Sequence, residues 1–405
     1  MKVTLVGVGP GAPESMTCAA RAALEGADAI IGAERLLARL PAGCSAKTLA
    51  LAVPEKVAAA VRANPEWRTV CVALSGDVGF YSGAKRLLEL LPEYEMELVC
   101  GVSSPQYFAA RLRRPWQSFH LVSAHGVACD VLAEVLNHRE TLFLTGNDTT
   151  PASIIAELRR AGLDDAVVSV GENLSSADER IICGTAAQLD GQSFASLSVA
   201  LVENDKTFCF DVPSSGIADE AFQRGKAPMT KREVRAVALS LLRPHVGAVL
   251  YDVGAGTGSV AVEMALTARR GRVYAIERDE ENCGLIRVNR ERFGVYNMDV
   301  VFGEAPGALD GLPVPDAVFI GGSKGKMREV FAAVLDRNAE ARIVVSAVTL
   351  ESLSGAMNAM RAFGLRDVEA VQVAATRIVE RGEYHMMNAQ NPVFLVAGGG
   401  RHAAH

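Results

Sequence analysis

Short apolar runs alternate with longer amphipathic stretches along the first 205 residues. The runs have the length and β-branched content of buried strands, whereas intervening stretches such as 82–91 and 151–161 have the spacing of helices. Strands are predicted at 3–8, 29–31, 70–74, 121–123, 142–144, 167–170 and 199–202. This alternation predicts an α/β domain, in which ligands bind at the loops that follow the strands.

The second half of the chain alternates in the same way. Strands are predicted at 249–253, 273–276, 299–302, 317–320 and 343–348, and helices at 259–269, 280–293, 326–337 and 350–363. Between the halves, residues 202–226 lose the strand pattern and gain proline, serine and glycine at 213–216. We therefore predict two α/β domains, at 1–208 and 225–405, joined by a linker at 209–224.

Composition agrees with two domains and indicates where in the cell the protein is expected. The 405 residues are 49% hydrophobic, which is enough for two cores of ordinary size. No apolar run is long enough to span a bilayer, and the N-terminus starts directly with a strand pattern instead of a signal peptide. We expect a cytoplasmic protein.

Charge and cysteine spacing argue against two classes of function. The net charge of −6 is unsuited to tracking nucleic acid over a broad surface. The eight cysteines lie far apart, without a CxxC pair or a Cys/His cluster at metal-ligand spacing. We expect reduced cysteines, no metal site and no nucleic-acid partner.

The most informative local motif is YDVGAGTGS at 251–259, where an apolar strand leads into three alternating glycines and then a helix. Gly254, Gly256 and Gly258 would let the backbone turn sharply and approach a ligand closely. A second strand ends at Glu277, about twenty residues further on, where an acid can accept hydrogen bonds from ribose hydroxyls. Dinucleotide enzymes share the acid but space their glycines as GxGxxG, whereas this chain reads GxGxG.

The GxGxG spacing resembles that of the class I S-adenosylmethionine methyltransferases, which have a Rossmann-like fold. The resemblance implies that the methyl donor is held by the turn and by three later strand ends. It also makes segments 371–375 and 391–396 resemble the closing antiparallel hairpin of that fold. The donor-binding residues implied in this half are Gly254, Ala255, Gly256, Thr257, Gly258, Glu277, Gly303, Glu304, Ala305, Gly321 and Gly322.

The loops of the first half resemble a different methyltransferase family, the tetrapyrrole methylases. The resemblance is carried by VGVGPG at 6–11, SGDVGFYSG at 75–83 and GVSSPQ at 101–106. It departs where the family usually reads Gly-Asp-Pro and this chain has Val78, which removes some rigidity from the loop. It implies a fold of two α/β subdomains and a donor site formed by Gly9, Asp77, Val78, Phe80, Ser103, Ser104 and His125.

The segment PMTKREVR at 228–235 precedes the glycine turn. Thr230 is predicted to cap a helix whose third residue is Glu233, in a capping box. The segment also resembles the decarboxylating branch of the corrin methyltransferases, which implies a donor contact at Thr230. Lys231, Arg232 and Lys324 are cations suited to a substrate rich in carboxylates, although charge runs are more often solvated helix faces.

Taken over nearly the whole chain, the resemblance is to the fused precorrin-6Y C5,15-methyltransferase (decarboxylating) family of cobalamin biosynthesis. It implies methylation of precorrin-6B (6Y) at C5 by the first domain. It implies methylation at C15 and loss of the ring C acetate carboxyl (C12) in the second, giving precorrin-8. One S-adenosylmethionine per domain and a homo-oligomer are implied as well, while the order of methylation and the presence of cobalt stay open.

Other functions remain open at this point. An S-adenosylmethionine-dependent RNA methyltransferase, an NAD-dependent oxidoreductase and a ligand-binding scaffold without activity all accommodate parts of the pattern. No side chain is singled out as catalytic, since the conjugated ring is itself the nucleophile. Asp77, Glu304 and His385 are the candidates for moving a proton.

Overall fold

A computed structural model describes residues 1–124, 129–146, 148–208 and 214–401. The chain forms two compact units: the first comprises Met1–Cys129, Glu140–Arg159 and Asp164–Glu203, and the second comprises Asp130–Arg139, Arg160–Leu163 and Asn204–His405. Within the described ranges, no helix is both long and apolar enough to cross a bilayer.

The first unit begins with a five-stranded parallel sheet of order β3-β2-β4-β1-β5. Its strands are β1 (Lys2–Gly7), β2 (Ala29–Gly32), β3 (Lys47–Ala50), β4 (Thr69–Leu74) and β5 (Glu95–Val99). Its helices are α1 (Cys18–Glu25), α2 (Glu34–Leu37), α3 (Pro54–Ala63), α4 (Ala84–Leu90) and α5 (Ser104–Arg111). The central strand β1 is buried on both faces, as parallel sheets covered by helices require: Val3 and Leu5 pack on one side, Val6 and Val8 on the other.

A second five-stranded sheet, of order β6-β7-β10-β8-β9, completes this part of the chain. It contains β6 (His120–Ser123), β7 (Glu140–Leu144), β8 (Val167–Glu172), β9 (Arg180–Thr185) and β10 (Ser198–Glu203), with helices α7 (Pro151–Arg160) and α8 (Ala186–Leu189). Helix α6 (Val131–Asn137) follows β6 in the sequence but belongs to the second unit. Only β6 and β7 pair in parallel, and the other neighbours are antiparallel. Two sheets with different pairing confirm the prediction of two α/β subdomains.

The second unit is built on a seven-stranded sheet of order β13-β12-β11-β14-β15-β19-β16. Its strands are β11 (Val249–Val253), β12 (Arg272–Glu277), β13 (Met298–Phe302), β14 (Ala317–Ile320), β15 (Arg342–Ala347), β16 (Leu365–Val373) and β19 (Val393–Arg401). Helices α9 (Arg232–Leu242), α10 (Ser259–Thr267), α11 (Glu280–Arg292), α12 (Met327–Arg337) and α13 (Leu350–Ala362) flank it. The parallel strands reverse their order beside β11, at the switch point where doubly wound sheets bind ligands. The predicted Rossmann-like fold is confirmed.

The closing hairpin of this sheet carries an insertion. β16 and β19 pair antiparallel as expected, but the chain between them forms a separate two-stranded ribbon of β17 (Thr376–Arg381) and β18 (Tyr384–Ala389). The pattern of apolar and polar residues does not predict this ribbon.

The predicted capping box at the start of α9 is wrong. The helix begins at Arg232, its N-cap is Lys231, and no side chain of the cap residue bonds the first turn. Instead the carboxylate of Asp219, from outside the helix, accepts the amide N–H of Arg232 at 3.0 Å. Glu233 is therefore the second helical residue, and its carboxylate pairs with Arg377.

The segment expected to be a linker is, in its described part, integrated into the second unit. The amide groups of Gly216 and Ile217 both donate to the carboxylate of Glu263 on α10, each at 3.0 Å. Ile217 and Phe222 are buried. Residues 214–224 are thus part of the packed structure, while residues 209–213 lie outside the described ranges.

Candidate functional site

A cavity of about 550 Å³ opens at the carboxyl edge of the sheet in the second unit. Its walls come from the segment before α9 and from the loops that follow β11, β12, β13, β14 and β15, together with the base of the ribbon. The cavity brings together twelve of the site residues predicted in this half: Thr230, Lys231, Gly254, Ala255, Gly256, Glu277, Gly303, Glu304, Ala305, Gly321, Gly322 and Lys324.

The glycine turn after β11 forms the floor of this cavity. The amide groups of Gly254 and Ala255 donate to the carbonyl of Ile276 at 3.0 and 3.1 Å, which fixes the turn against β12. Gly254 has a φ of +75°, and a Cβ there would lie 2.7 Å from the carbonyl oxygen of Gly322. Only glycine permits this approach of two ligand loops.

Glu277 stands at the end of β12 and is 8% exposed. One carboxylate oxygen accepts the amide of Gly256 at 2.8 Å. The other accepts the amides of Arg278 and Asp279, each at 3.0 Å. These three hydrogen bonds fix the orientation of the carboxylate at the cavity wall, in a position suited to binding ribose hydroxyls.

Asp252 is a cavity residue that the sequence analysis did not single out. It is buried at the end of β11, and one oxygen, Oδ2, accepts the amide of Ala261 at 3.0 Å. The other oxygen, Oδ1, is buried without a hydrogen-bond partner in the structure. Burial raises the pKa of Asp252 to about 7, with Glu277 adding to the effect. An unpartnered buried acid facing a cavity is suited to a cationic ligand group.

Glu304 lies on the cavity wall after β13. Lys326 donates to its carboxylate at 3.0 Å, and Arg278 approaches it at 4.0 Å. The hydrogen bond and charge of Lys326 hold the pKa of Glu304 below its usual range. This side chain is therefore ionised near neutral pH and is poorly suited to act as a general acid.

Two lysines on the wall are suited to an anionic ligand. Lys231 precedes α9 and Lys324 follows β14, and both line the cavity. Lys324 has a φ of +47°, a left-handed conformation that is unusual for a residue other than glycine. Such strain often marks a functional loop.

Four predicted residues of this half do not line the cavity. Thr257 and Gly258 are buried beneath it: the carbonyl of Thr257 accepts from Asn289, and a Cβ at Gly258 would meet Ile286 at 2.9 Å. Arg232 starts α9 and faces outward, and His385 is an exposed residue of β18 beside Glu380. Their described contacts place these residues in packing or at the surface.

In the first unit, the loops after β1, β4 and β5 converge. Gly9 and Gly76 exchange backbone hydrogen bonds of 3.1 and 2.8 Å. The carboxylate of Asp77 accepts the amide of Gly101 at 3.0 Å and that of Gly79 at 2.8 Å, which joins the second loop to the third. This use of the carboxylate supports a role for Asp77 in shaping the loops.

The remaining predicted residues of this unit occupy different environments. Val78 is buried in the core and Phe80 is half-buried. Ser103 is buried and caps α5 in a capping box with Gln106, and Ser104 is the first residue of that helix. His125 lies outside the described residues.

Each half of the chain matches a different known protein family. Residues 2–190 match the tetrapyrrole (corrin/porphyrin) methylases. Residues 220–397 match the precorrin methyltransferase domain.

One of the relatives spans both halves. The precorrin-6Y C(5,15)-methyltransferase [decarboxylating] of a Sinorhizobium species is 33% identical over 288 residues, which is 70% of this chain and 69% of that protein. The chain belongs to the precorrin-6Y C5,15-methyltransferase family. Members of this family are S-adenosylmethionine-dependent methyltransferases.

Other relatives match less than half of this chain. The "probable cobalt-precorrin-6B C(15)-methyltransferase (decarboxylating)" of Pyrobaculum calidifontis is 46% identical over 184 residues, covering 45% of this chain and 94% of that protein. A crystal structure of precorrin-6y C5,15-methyltransferase from Geobacter metallireducens GS-15 is 39% identical and covers 47% of this chain and 99% of its own, with a TM-score of 0.45.

Proposed function

We propose that this chain methylates precorrin-6B (6Y) at C5 and C15 and removes the carboxyl group of the ring C acetate, giving precorrin-8 in cobalamin biosynthesis. The observation that carries the proposal is the family relationship across both halves, which links two unrelated methyltransferase folds in one chain. Two such folds in one chain are explained by two methylations of one substrate.

The names of the shorter relatives support a division of labour between the two units. Relatives that match less than half of this chain are named as C(15)-methyltransferases that decarboxylate, and the precorrin methyltransferase domain is matched by residues 220–397. We assign methylation at C15 and decarboxylation to the second unit, and methylation at C5 to the first.

The cavity of the second unit fits S-adenosylmethionine. Glu277 would accept from the ribose hydroxyls, and the carboxylate of Asp252, which also lines the cavity, would pair with the ammonium of the amino-acid tail. The close approach of Gly254 to Gly322 leaves backbone, without side chains, beneath the ligand. When bound, S-adenosylmethionine supplies an electrophilic methyl group.

The residues of this chain then act by holding and orienting the two reactants. The electron-rich ring carbon is the nucleophile, so no side chain has to form a covalent bond. Orientation of this kind lowers a barrier by about 7–11 kcal/mol in favourable cases. Lys231 and Lys324 would pair with the carboxylates at the rim of the ring.

Decarboxylation needs an electron sink rather than a base. Methylation leaves the conjugated ring electron-poor, and the electron pair of the breaking carbon–carbon bond moves into the ring as carbon dioxide departs. Glu304 is ionised and paired with Lys326, so we assign it to ordering the wall and not to delivering a proton.

The number of bound donor molecules tests whether both units have a site. Calorimetric titration of the chain with S-adenosylmethionine is expected to give two sites per chain. Gly254→Ala should remove one of them, because the new Cβ would meet the carbonyl of Gly322.

Gly284→Ala on α11 is the matched control, because a Cβ there meets nothing within 4 Å. This variant is expected to keep both sites. A single donor per wild-type chain would refute the assignment of one donor site to each unit.

We also propose that the chain forms a homo-oligomer through the ribbon of β17 and β18. Each face of the ribbon carries an exposed apolar cross-strand pair: Ile378 with Met387, and Val379 with Met386. Ile378 is 68% and Met387 83% exposed. A two-stranded ribbon is marginal alone, and its free edges and apolar faces suit a second copy of the same ribbon.

A further inference from the structure

One wall of the cavity in the second unit has no secondary structure of its own. Ala227–Lys231 line the cavity, yet they belong to neither a helix nor a strand. Any fixed position of Lys231 must therefore come from the groups that hold this segment and the start of α9.

The inner support is Arg235, which is fully buried on α9. Its guanidinium donates to Glu263 and Asp219 at 2.9 Å each, and to the carbonyl of Thr230 at 2.5 Å. The centroid of the Phe222 ring lies 4.7 Å from the guanidinium carbon of Arg235. The side chain of Arg235 thus supports the wall at Thr230, while its amide N–H donates to the carbonyl of Lys231 at 2.8 Å in the first helical turn.

The outer support is Arg377, which comes from β17 of the ribbon. Its Nη2 donates to Asp219 at 2.9 Å and to Glu233 at 2.7 Å, and its Nε donates to Glu233 at 3.1 Å. Asp219 in turn accepts the amide of Arg232, the first residue of α9. The pair with Arg377 lowers the pKa of Glu233 to about 2, so the contact is ionised throughout the working range of pH.

We propose that Arg377 is a positioning residue for tetrapyrrole binding in the second unit. It acts through Asp219 and Glu233, which together fix the start of α9 and with it Lys231. The inference rests on the proposed function, since it assigns Lys231 to the carboxylates of the ring.

Arg235 and Arg377 support different parts of the cavity wall. Arg235 supports the part beside the methyl donor, and Arg377 supports the part beside the tetrapyrrole ring. Loss of Arg377 leaves Arg235 on the carbonyl of Thr230, so the donor side of the wall keeps its support. The start of α9 loses the guanidinium that bridges the carboxylates of Asp219 and Glu233. Arg377→Ala should therefore weaken binding of the ring and spare binding of the donor.

The test is steady-state kinetics of the full chain with the late precorrin substrate, together with calorimetry for the donor. Arg377→Ala is expected to raise KM for the ring about tenfold, with kcat within about twofold and with donor affinity unchanged. Arg377→Lys keeps the charge but loses the fork, so it should restore KM only in part.

Arg381→Ala is the matched control, because Arg381 lies on the same face of β17 and the structure describes no ion pair for it. It should keep the wild-type KM. Glu233→Gln alone should raise KM. In the Arg377→Ala background it should not raise KM further, because both changes break the same contact between Arg377 and Glu233.

Two results would overturn the proposal. One is an Arg377→Ala variant with the KM of the Arg381→Ala control. The other is an equal loss of ring and donor binding together with a lower melting temperature, which would mean general destabilisation. A wild-type chain that does not methylate the precorrin would instead count against the proposed function.

Discussion

Among the residues of the site, Asp252 gives the clearest physical expectation. A buried carboxylate with one oxygen unpartnered costs free energy unless a ligand pairs with it. Burial raises its pKa from 3.8 to about 7. In the ligand-free chain, the stability associated with the neutral acid is present at low pH and is lost as the pH rises through about 7.

This predicts a pH-dependent affinity for the donor at the second unit. A cationic ammonium pairs with the ionised acid, so affinity should rise between pH 5.5 and 7.5, by up to about tenfold per pH unit below the pKa of about 7. Asp252→Asn should weaken donor binding and flatten this slope. Titration calorimetry across that range measures both effects.

The control for that prediction is Asp310→Asn, which removes an exposed acid of the same unit. It should leave the slope intact. If Asp252→Asn kept the slope of the wild type, Asp252 would not be the titrating group.

At this scale the sequence predicted the ligand loops better than the role of each residue. The glycine spacing and Glu277 led to the cavity, because backbone approach and an acid at a strand end leave a local pattern. The burial of Asp252 depends on what covers it, and no local pattern reports that. Likewise Gly258 was assigned to the donor, although its contact with Ile286 on a distant helix decides its role.

Among the elements of the first half, most predicted strands are buried, and the three strands that were missed lie at sheet edges. Every predicted strand in the first half is present, and the buried ones are continuous apolar runs. The strands β3, β5 and β9 were not predicted, and all three lie at sheet edges. In β5, whose sequence is EMELV, polar residues face solvent and weaken the hydrophobic signal.

The ribbon is the element with the clearest consequence for assembly. Ile378→Glu places a charge on its apolar face and is expected to reduce the mass in solution to that of a single chain, 42.9 kDa. Light scattering measures that mass, and the wild type should give a multiple of it.

Val288→Glu is the control for this prediction, since Val288 is an exposed valine on α11, away from the ribbon. It should assemble as the wild type does. A wild-type chain with the mass of one copy would remove the ribbon from the account of assembly.

For the whole molecule, two α/β folds with different sheet orders stand in one chain. The order β3-β2-β4-β1-β5 of the first sheet and the order β13-β12-β11-β14-β15-β19-β16 of the second unit share no plan, so the halves are not a repeat. Each fold nevertheless brings its glycine-rich loops together at the carboxyl ends of parallel strands. The sequence predicted this organisation because each fold has its own loop motifs.

The central claim is that each unit transfers one methyl group to the same ring and that the second unit also decarboxylates. Mass spectrometry of the product formed from the late precorrin and isotopically labelled S-adenosylmethionine tests it most directly. The wild-type product should carry two labelled methyl groups and have lost one carbon dioxide, and so should that of Gly284→Ala. The product of Gly254→Ala should lack the C15 methyl group and retain the carboxyl group. A Gly254→Ala product with both methyl groups and no ring C carboxyl would contradict the account.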